Sequence, residues 1–341
     1  MTTLLSAMIL VTGGTGLIGS QLLFDLTKSG KKVRALKRLS SDMKVVKRAF
    51  VSQPTMFEKI EWVNGDVIDV FSIEDAMQEV REVYHCAALV SFHSADFNKM
   101  MKTNAEGTAN IVNAALEKGV TKFCMVSSTA ALGRSAENQM VNEDTLWKKS
   151  KYNSGYAVSK YAAEREVWRG VEEGLNAVIV NPSIVLGAGD INSGSTALFG
   201  QVMKGLIFYP TGRTGFIDVK DVTKCMIELM EKNIFKERFI INSENLEYRD
   251  VINYIADAFG KKHPFIKVNT FLREAGWRAE AIRSVFSKHK AMITKETARN
   301  GQRSWLYSNE QIKKCLNINF IPIKESVERI CEILQKEGGN N

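Results

Sequence analysis

Prolines number only five in 341 residues, so no proline-rich linker divides the chain, and no low-complexity tract or fixed-period repeat marks it as a solenoid or fibre. No apolar run reaches the roughly 18 residues that a membrane-spanning helix needs. The opening M-T-T-L-L-S-A-M-I-L-V-T-G-G has no basic leading region and runs straight into glycines, so a signal peptide is not expected. Cysteine is sparse as well. Cys86, Cys124, Cys225, Cys315 and Cys331 are odd in number, widely spaced and mostly set in apolar runs, with no C-x-x-C and no Cys/His spacing for a metal. They are expected to be reduced core residues of a cytoplasmic protein without a metal site.

What is present is ordinary globular material, 45% hydrophobic and 25% charged, in a length that suits one large domain or one domain with an appended lobe. The net charge of +8 raises nucleic acid or an anionic surface as partners. Against that, Lys and Arg are scattered, with short clusters only at residues 31–38 and 148–151, and no basic stripe interleaved with aromatics occurs. No nucleic-acid partner is expected. A small phosphate-bearing ligand accounts better for the first cluster.

Short apolar strands alternate with helical stretches through the first half. Residues 7–12 read as a strand and residues 20–28 as a helix, and between them stand Gly13, Gly14, Thr15, Gly16, Leu17, Ile18 and Gly19. Glycines at 13, 16 and 19 suit a tight turn, close backbone approach to a pyrophosphate, and close packing of helix on strand. The helix N-terminus then offers free N–H groups and a positive dipole end to phosphates. A second strand, residues 32–36, ends at Lys37 and Arg38, where an NAD-preferring site would carry Asp or Glu about twenty residues after the glycines. Cationic groups suit a 2′-phosphate. NADP(H) is therefore the expected cofactor and NAD(H) the alternative, unless both charges are plain solvated loop residues.

Residues 42–50 read as a charged helix and residues 59–63 as a third strand, followed by Asn64, Gly65, Asp66 and Val67. Asp66 either accepts from an adenine amino group or simply forms the turn. A fourth strand, residues 82–86, closes on Ala87, Ala88 and Leu89, where a flat cofactor can lie against the backbone. The helical pattern over residues 96–118 carries Asn104, whose amide is either a packing anchor or part of a proton path. Residues 122–126 form a fifth strand, followed by the hydroxyls of Ser127, Ser128 and Thr129 at the carboxyl end of a parallel strand, where ligands bind. A sixth strand, residues 177–180, ends in Asn181, Pro182, Ser183 and Ile184. Past Gly189 the alternation breaks down.

The pattern predicts an α/β fold: a Rossmann-type doubly wound parallel sheet, mainly residues 1–188, with a smaller α+β substrate lobe, mainly residues 189–341, and chain crossings between the two. The substrate pocket is expected from residues after Gly189 and from the loop 134–150. In the lobe, Phe271, Leu272, Ala275, Ile282, Val285 and Phe286 form an apolar stripe on a helix over residues 271–288, facing the core or lining the pocket. His93, His263 and His289 have no partners at metal or triad spacing.

Residues 153–164, N-S-G-Y-A-V-S-K-Y-A-A-E, have helical composition, which puts Tyr156 and Lys160 on one face, one turn apart. A phenol, with an ordinary pKa of about 10, is drawn towards neutral pH by a fixed cation and becomes able to exchange a proton there. On a solvated face the same pair would do nothing.

Taken in order, G-G-T-G-L-I-G-S, N-G-D-V, H-C-A-A-L-V-S, T-N-A-E-G-T-A-N, V-S-S-T-A-A-L-G, Y-A-V-S-K, N-P-S-I-V-L-G and F-I-D-V-K-D-V resemble the motifs of the extended short-chain dehydrogenase/reductases, or NAD-dependent epimerase/dehydratase family. Within it, V-R-A-L-K-R, H-C-A-A-L-V-S and A-A-L-G-R look most similar to the dihydroflavonol reductase and hydroxysteroid dehydrogenase branch. The resemblance implies that Tyr156 exchanges a proton with a carbonyl oxygen while hydride passes to or from the nicotinamide. Lys160 would lower its pKa and bond the nicotinamide ribose, Ser128 would hold the substrate oxygen, and Asn104 would tie Lys160 to a water chain. Ser128 is preferred to Thr129 because Gly133, five residues on, matches the family's serine-to-glycine spacing. Segments 13–19, 66–67, 87–89, Ser127 and 181–184 would line the cofactor, and a homodimer through helices 96–118 and 153–171 is a family expectation.

Family members that dehydrate nucleotide sugars follow their catalytic threonine with an Asp-Glu pair, whereas this chain has Ala130 and Ala131, or Thr129 and Ala130 in the register that makes Ser128 catalytic. Elimination of water is therefore disfavoured. The expected function is NADP-dependent interconversion of a ketone and a secondary alcohol on a small apolar or cyclic substrate. A nucleotide-sugar epimerase with tightly bound NAD, or a non-catalytic dinucleotide sensor, are the alternatives.

Overall fold

The computed structural model describes residues 7–133, 139–150, 153–286 and 294–338; Arg134 of the expected pocket loop, Lys151 of the second basic cluster and His289 lie outside them. In chain order the strands used below are β1 (Met8–Thr12), β2 (Lys32–Lys37), β3 (Glu61–Asn64), β4 (Val80–His85), β5 (Lys122–Val126), β6 (Ala177–Pro182), β7 (Ile184–Leu186), β8 (Arg213–Asp218), β9 (Glu237–Ile241) and β10 (Glu244–Glu247). Seven of them form one sheet in the order β9-β6-β5-β4-β1-β2-β3, and every pairing in it is parallel. Chain direction across the sheet reverses between β1 and β4. That is the switch point at which open α/β sheets bind ligands.

Alternating side chains of each strand feed two cores, as the period of two requires. Ile9 and Val11 of β1 and Cys124 of β5 meet α1 (Leu17–Lys28) on one face through Leu22, Leu23 and Leu26. Leu10, Phe123 and Met125 meet α2 (Gly107–Glu117) and α3 (Gly155–Glu172) on the other, through Ile111, Val112, Ala163 and Val167. Each such fully buried Leu, Ile or Val contributes roughly 1.5–3 kcal/mol relative to exposure. The first core is completed by α4 (Val219–Glu231), whose Val222, Cys225, Met226 and Leu229 are wholly buried. Both α4 and the edge strand β9 come from beyond residue 188.

The second sheet runs β10-β8-β7, with β8 parallel to β7 and antiparallel to β10. It packs on α5 (Tyr248–Ala258) and on a C-terminal helix through Phe216, Val251, Ile255, Val327 and Ile330. Pro182 ends β6 and Ile184 starts β7, so one short stretch feeds both sheets.

Two elements differ from the sequence expectation. The stretch over residues 96–118 is not one regular helix: the α-turn Phe97–Met100 passes into a π-helix, Met101–Glu106, before α2 begins. Helix α6 (Thr270–Phe286) carries no core-facing stripe at its start, since Phe271 is 78% exposed, Ala275 is exposed and Leu272 is half-buried. It packs against the short helix Lys295–Asn300. The side chains of Ile282, Val285 and Phe286 lie outside the described residues. All five cysteines are free, and among the described residues no helix is long and apolar enough to cross a membrane.

Candidate active site

The crevice begins where β1 ends. Gly13 has a φ of +70°, a conformation open to glycine, and a Cβ there would stand 2.6 Å from the Ala87 backbone nitrogen. A Cβ on Gly19 would collide with the Gly13 carbonyl oxygen. Gly16 donates to that carbonyl at 3.0 Å and caps α1 without a side chain, and the first turn of α1 has no acidic residue. The result is a bare helix N-terminus of positive polarity beside a backbone cradle, the arrangement that accepts a pyrophosphate. Thr15, Leu17 and Ile18 are half-buried along it, and Ala87, Ala88 and Leu89 form its far wall at the end of β4.

At the end of β2 no carboxylate appears. Arg38 is exposed, and the Lys37 ammonium donates to Asn64 Oδ1 at 2.9 Å. Asp66 Oδ1 accepts from the Ile68 backbone at 3.2 Å, which is turn-forming geometry, and Val67 is buried against Gly107.

Tyr156 and Lys160 stand on α3, whose first turn is capped by Ser154 accepting from Ala157 N at 2.8 Å. The Ser128 side chain approaches the Tyr156 phenol closely enough to lower its pKa, so the residue after β5 and the tyrosine of α3 come together. Ser128 is half-buried, whereas Thr129 is 6% exposed. The Phe92 ring stands edge-on to Tyr156 with centroids 6.0 Å apart. Burial pushes the phenol up to about 12, against Ser128, which lowers it. This departs from the expectation of a phenol drawn down by Lys160. The Lys160 ammonium is 2% exposed and donates to the Val126 carbonyl at 2.8 Å. Burial brings it down to about 8, while Glu164 and the Cys86 thiol hold it up.

Asn104 is 1% exposed and its amide is fully engaged: Oδ1 accepts from Leu89 N at 2.7 Å, and Nδ2 donates to Leu89 O at 3.0 Å and to Ser159 Oγ at 2.9 Å. Of its two readings the packing anchor is the one this geometry fits, with the π-turn pinned both to Leu89 after β4 and to α3. Asn181 is wholly buried, and its Nδ2 donates to the Ser128 carbonyl at 2.9 Å and to Glu164 Oε1. Pro182 and Ser183 are buried at the end of β6, Ile184 is half-buried, and Ser127 is buried beside the Glu164 carboxyl.

Several residues of this network had no role assigned from sequence. His85 bonds Thr12 Oγ1 through Nδ1 at 2.7 Å and Thr108 Oγ1 through Nε2 at 3.0 Å, and burial drives it down to about 3, so the ring is neutral. Glu164 is 1% exposed and pairs with Arg238 at 3.5 Å. The signals were in the motifs: His85 opens H-C-A-A, and Glu164 lies one further helical turn beyond Lys160.

Residues 9–242 match the profile of the NAD dependent epimerase/dehydratase family. Sterol demethylase protein B of Methylococcus capsulatus is 30% identical over 264 residues, 76% of each chain. Dihydroflavonol 4-reductase of Arabidopsis thaliana is 25% identical over 340 residues, which is 96% of this chain and 87% of the relative. Among solved structures, gox2253 superposes with a TM-score of 0.79 at 27% identity, covering 97% of this chain and 99% of the other.

Proposed function

Because the chain belongs to the NAD-dependent epimerase/dehydratase family and so is an NAD(P)-dependent enzyme, we propose that it is an NADP-dependent oxidoreductase interconverting a ketone and a secondary alcohol on a small apolar or cyclic molecule. The observation that carries this reading is the approach of the Ser128 side chain to the Tyr156 phenol, one helical turn from buried Lys160.

The bound dinucleotide would supply or take up the hydride. Gly13, Gly16 and Gly19 with the α1 N-terminus would hold its pyrophosphate, Lys37 and Arg38 its 2′-phosphate, residues 66–67 its adenine, and residues 87–89 with Ser127 its remaining length. In the reductive direction the Tyr156 phenol gives its proton to the carbonyl oxygen, and Ser128 donates a hydrogen bond to the same oxygen. A phenol held at about 12 is protonated at neutral pH, as an acid must be. The Lys160 ammonium offsets the phenolate that remains. Phe92 sets an apolar ring against that of Tyr156, in keeping with relatives named for a dihydroflavonol and a sterol.

The test is Tyr156→Phe assayed with NADPH against a panel of cyclic and aromatic ketones. Turnover should fall by about 100-fold or more while NADPH affinity stays within about twofold. Undiminished turnover would overturn the reading. Protein that purifies with tightly bound NAD and is stabilised by nucleotide sugars in thermal melts would favour an epimerase instead.

A further inference from the structure

A carboxylate buried to 1% exposure, one turn beyond Lys160 on the same helix, is used by none of the steps above. Its partners arrive from separate parts of the chain. Asn181 at the end of β6 donates one amide nitrogen to both Glu164 Oε1 and the Ser128 carbonyl, and so bridges α3 to the loop after β5. From β9, Arg238 pairs with Glu164 Oε2 at 3.5 Å and donates through Nε to the Glu143 carbonyl at 2.9 Å. Glu143 in turn accepts from Ile240 N at 2.8 Å. Two strands, the loop after β5 and helix α3 are thus tied to one buried carboxyl.

We infer that Glu164 is a positioning residue of this site: its carboxylate locks the Tyr156–Lys160 helix to the Ser128 end of β5 through Asn181, and keeps the Lys160 ammonium charged. The inference rests on reading Tyr156 and Lys160 as the proton-transfer pair. Three titratable groups act on or feel the Lys160 ammonium: Glu164 on its own helix, and His85 and Cys86 from the end of β4. Burial holds His85 down at about 3 and Cys86 up at about 12. Both are neutral at physiological pH, which leaves Glu164 as the one carboxyl among the described groups facing the ammonium. Burial, the largest influence, pushes that carboxyl above the usual carboxylate range, and Ser127, Asn181, Arg238 and Lys160 act against the shift and favour the ionised form. A neutral Lys160 could not balance a phenolate on Tyr156, so the site needs this charge one turn away.

The full-length protein, labelled with 13C-lysine, reports the Lys160 charge directly through its Cε resonance, which is assigned by its loss in Lys160→Met. The midpoint is expected near 8. In Glu164→Gln it should move down by roughly one pH unit, with Glu164→Asp restoring most of the shift. NADPH affinity in Glu164→Gln, read by nicotinamide fluorescence, should stay within about threefold. An unmoved midpoint in folded Glu164→Gln would overturn the inference, and that holds even if the variant melts at a lower temperature, as a purely structural residue would make it do. Should Glu164→Gln not fold, 13C-glutamate labelling of the wild-type protein decides: an ionised Glu164 carboxyl at pH 7 supports the inference, and a protonated one defeats it. Carbonyl turnover persisting in Tyr156→Phe would sink the proton-transfer reading alone, because the lysine titration is measured without substrate.

Discussion

Tyr156 shows which of two effects wins at a single residue. Helical spacing puts Lys160 one turn away, yet burial outweighs that proximity and holds the phenol near 12, while the ammonium is turned to the Val126 carbonyl. Desolvation of a phenolate is the larger effect wherever the cation is engaged elsewhere. Lys37 and Arg38 give the residue scale its other prediction. Replacing both with serine should weaken NADPH by about tenfold or more, roughly 1.4 kcal/mol, and change NADH by less than about twofold. Fluorescence titration of each nucleotide measures it, and equal losses would remove the basis for an NADP preference.

At the scale of elements, α3 matters through its ends and its anchors. Ser154 caps it two residues before Tyr156, so Ser154→Ala should cost about 1 kcal/mol in urea unfolding and loosen the tyrosine. The π-turn Met101–Glu106 acts from the side: Asn104 within it holds Leu89 after β4 and Ser159 of α3 together. Asn104→Leu leaves the half-buried Leu89 N–H and C=O without their side-chain partners, a loss of about 1–3 kcal/mol in all. Urea titration should show it, and a loss below about 1 kcal/mol would mean that the π-turn is held by its backbone alone.

For the whole molecule, pH dependence follows from groups buried in one state. His85 stays neutral in the fold down to about 3 but takes a proton near 6.5 once unfolded. Between those values the unfolded chain binds more protons, so the stability present above pH 6.5 drains away as pH falls towards 3. Asp221, raised to about 6 by burial, works with the opposite sign: the stability it adds at acid pH fades as pH rises from 3.8 towards 6. Denaturant midpoints measured across pH 3–7 should therefore lose much of their acid slope in His85→Gln. A slope that persists would place the acid sensitivity elsewhere.

Period-two strands, glycine spacing and the order of motifs are local properties, and they were enough to read the parallel sheet, the family and the Y-A-V-S-K helix directly from the chain. Strand-end position pointed to Ser127, Ser128 and Thr129 alike, and only the resemblance, through the five-residue spacing to Gly133, preferred Ser128. What local patterning could not supply is whatever depends on segments far apart in the chain. The seventh strand, Glu237–Ile241, finds its place only by pairing with residues 178–182, and nothing within its own five residues names that partner. The π-turn at Asn104 is accompanied by bonds to Leu89 and Ser159, 15 and 55 residues away in the chain. Phe271 looked apolar and periodic enough for a core, but no core stands opposite it. The electrostatics of Tyr156, Lys160, His85 and Glu164 were decided by tertiary structure alone, because desolvation is a property of what surrounds a group.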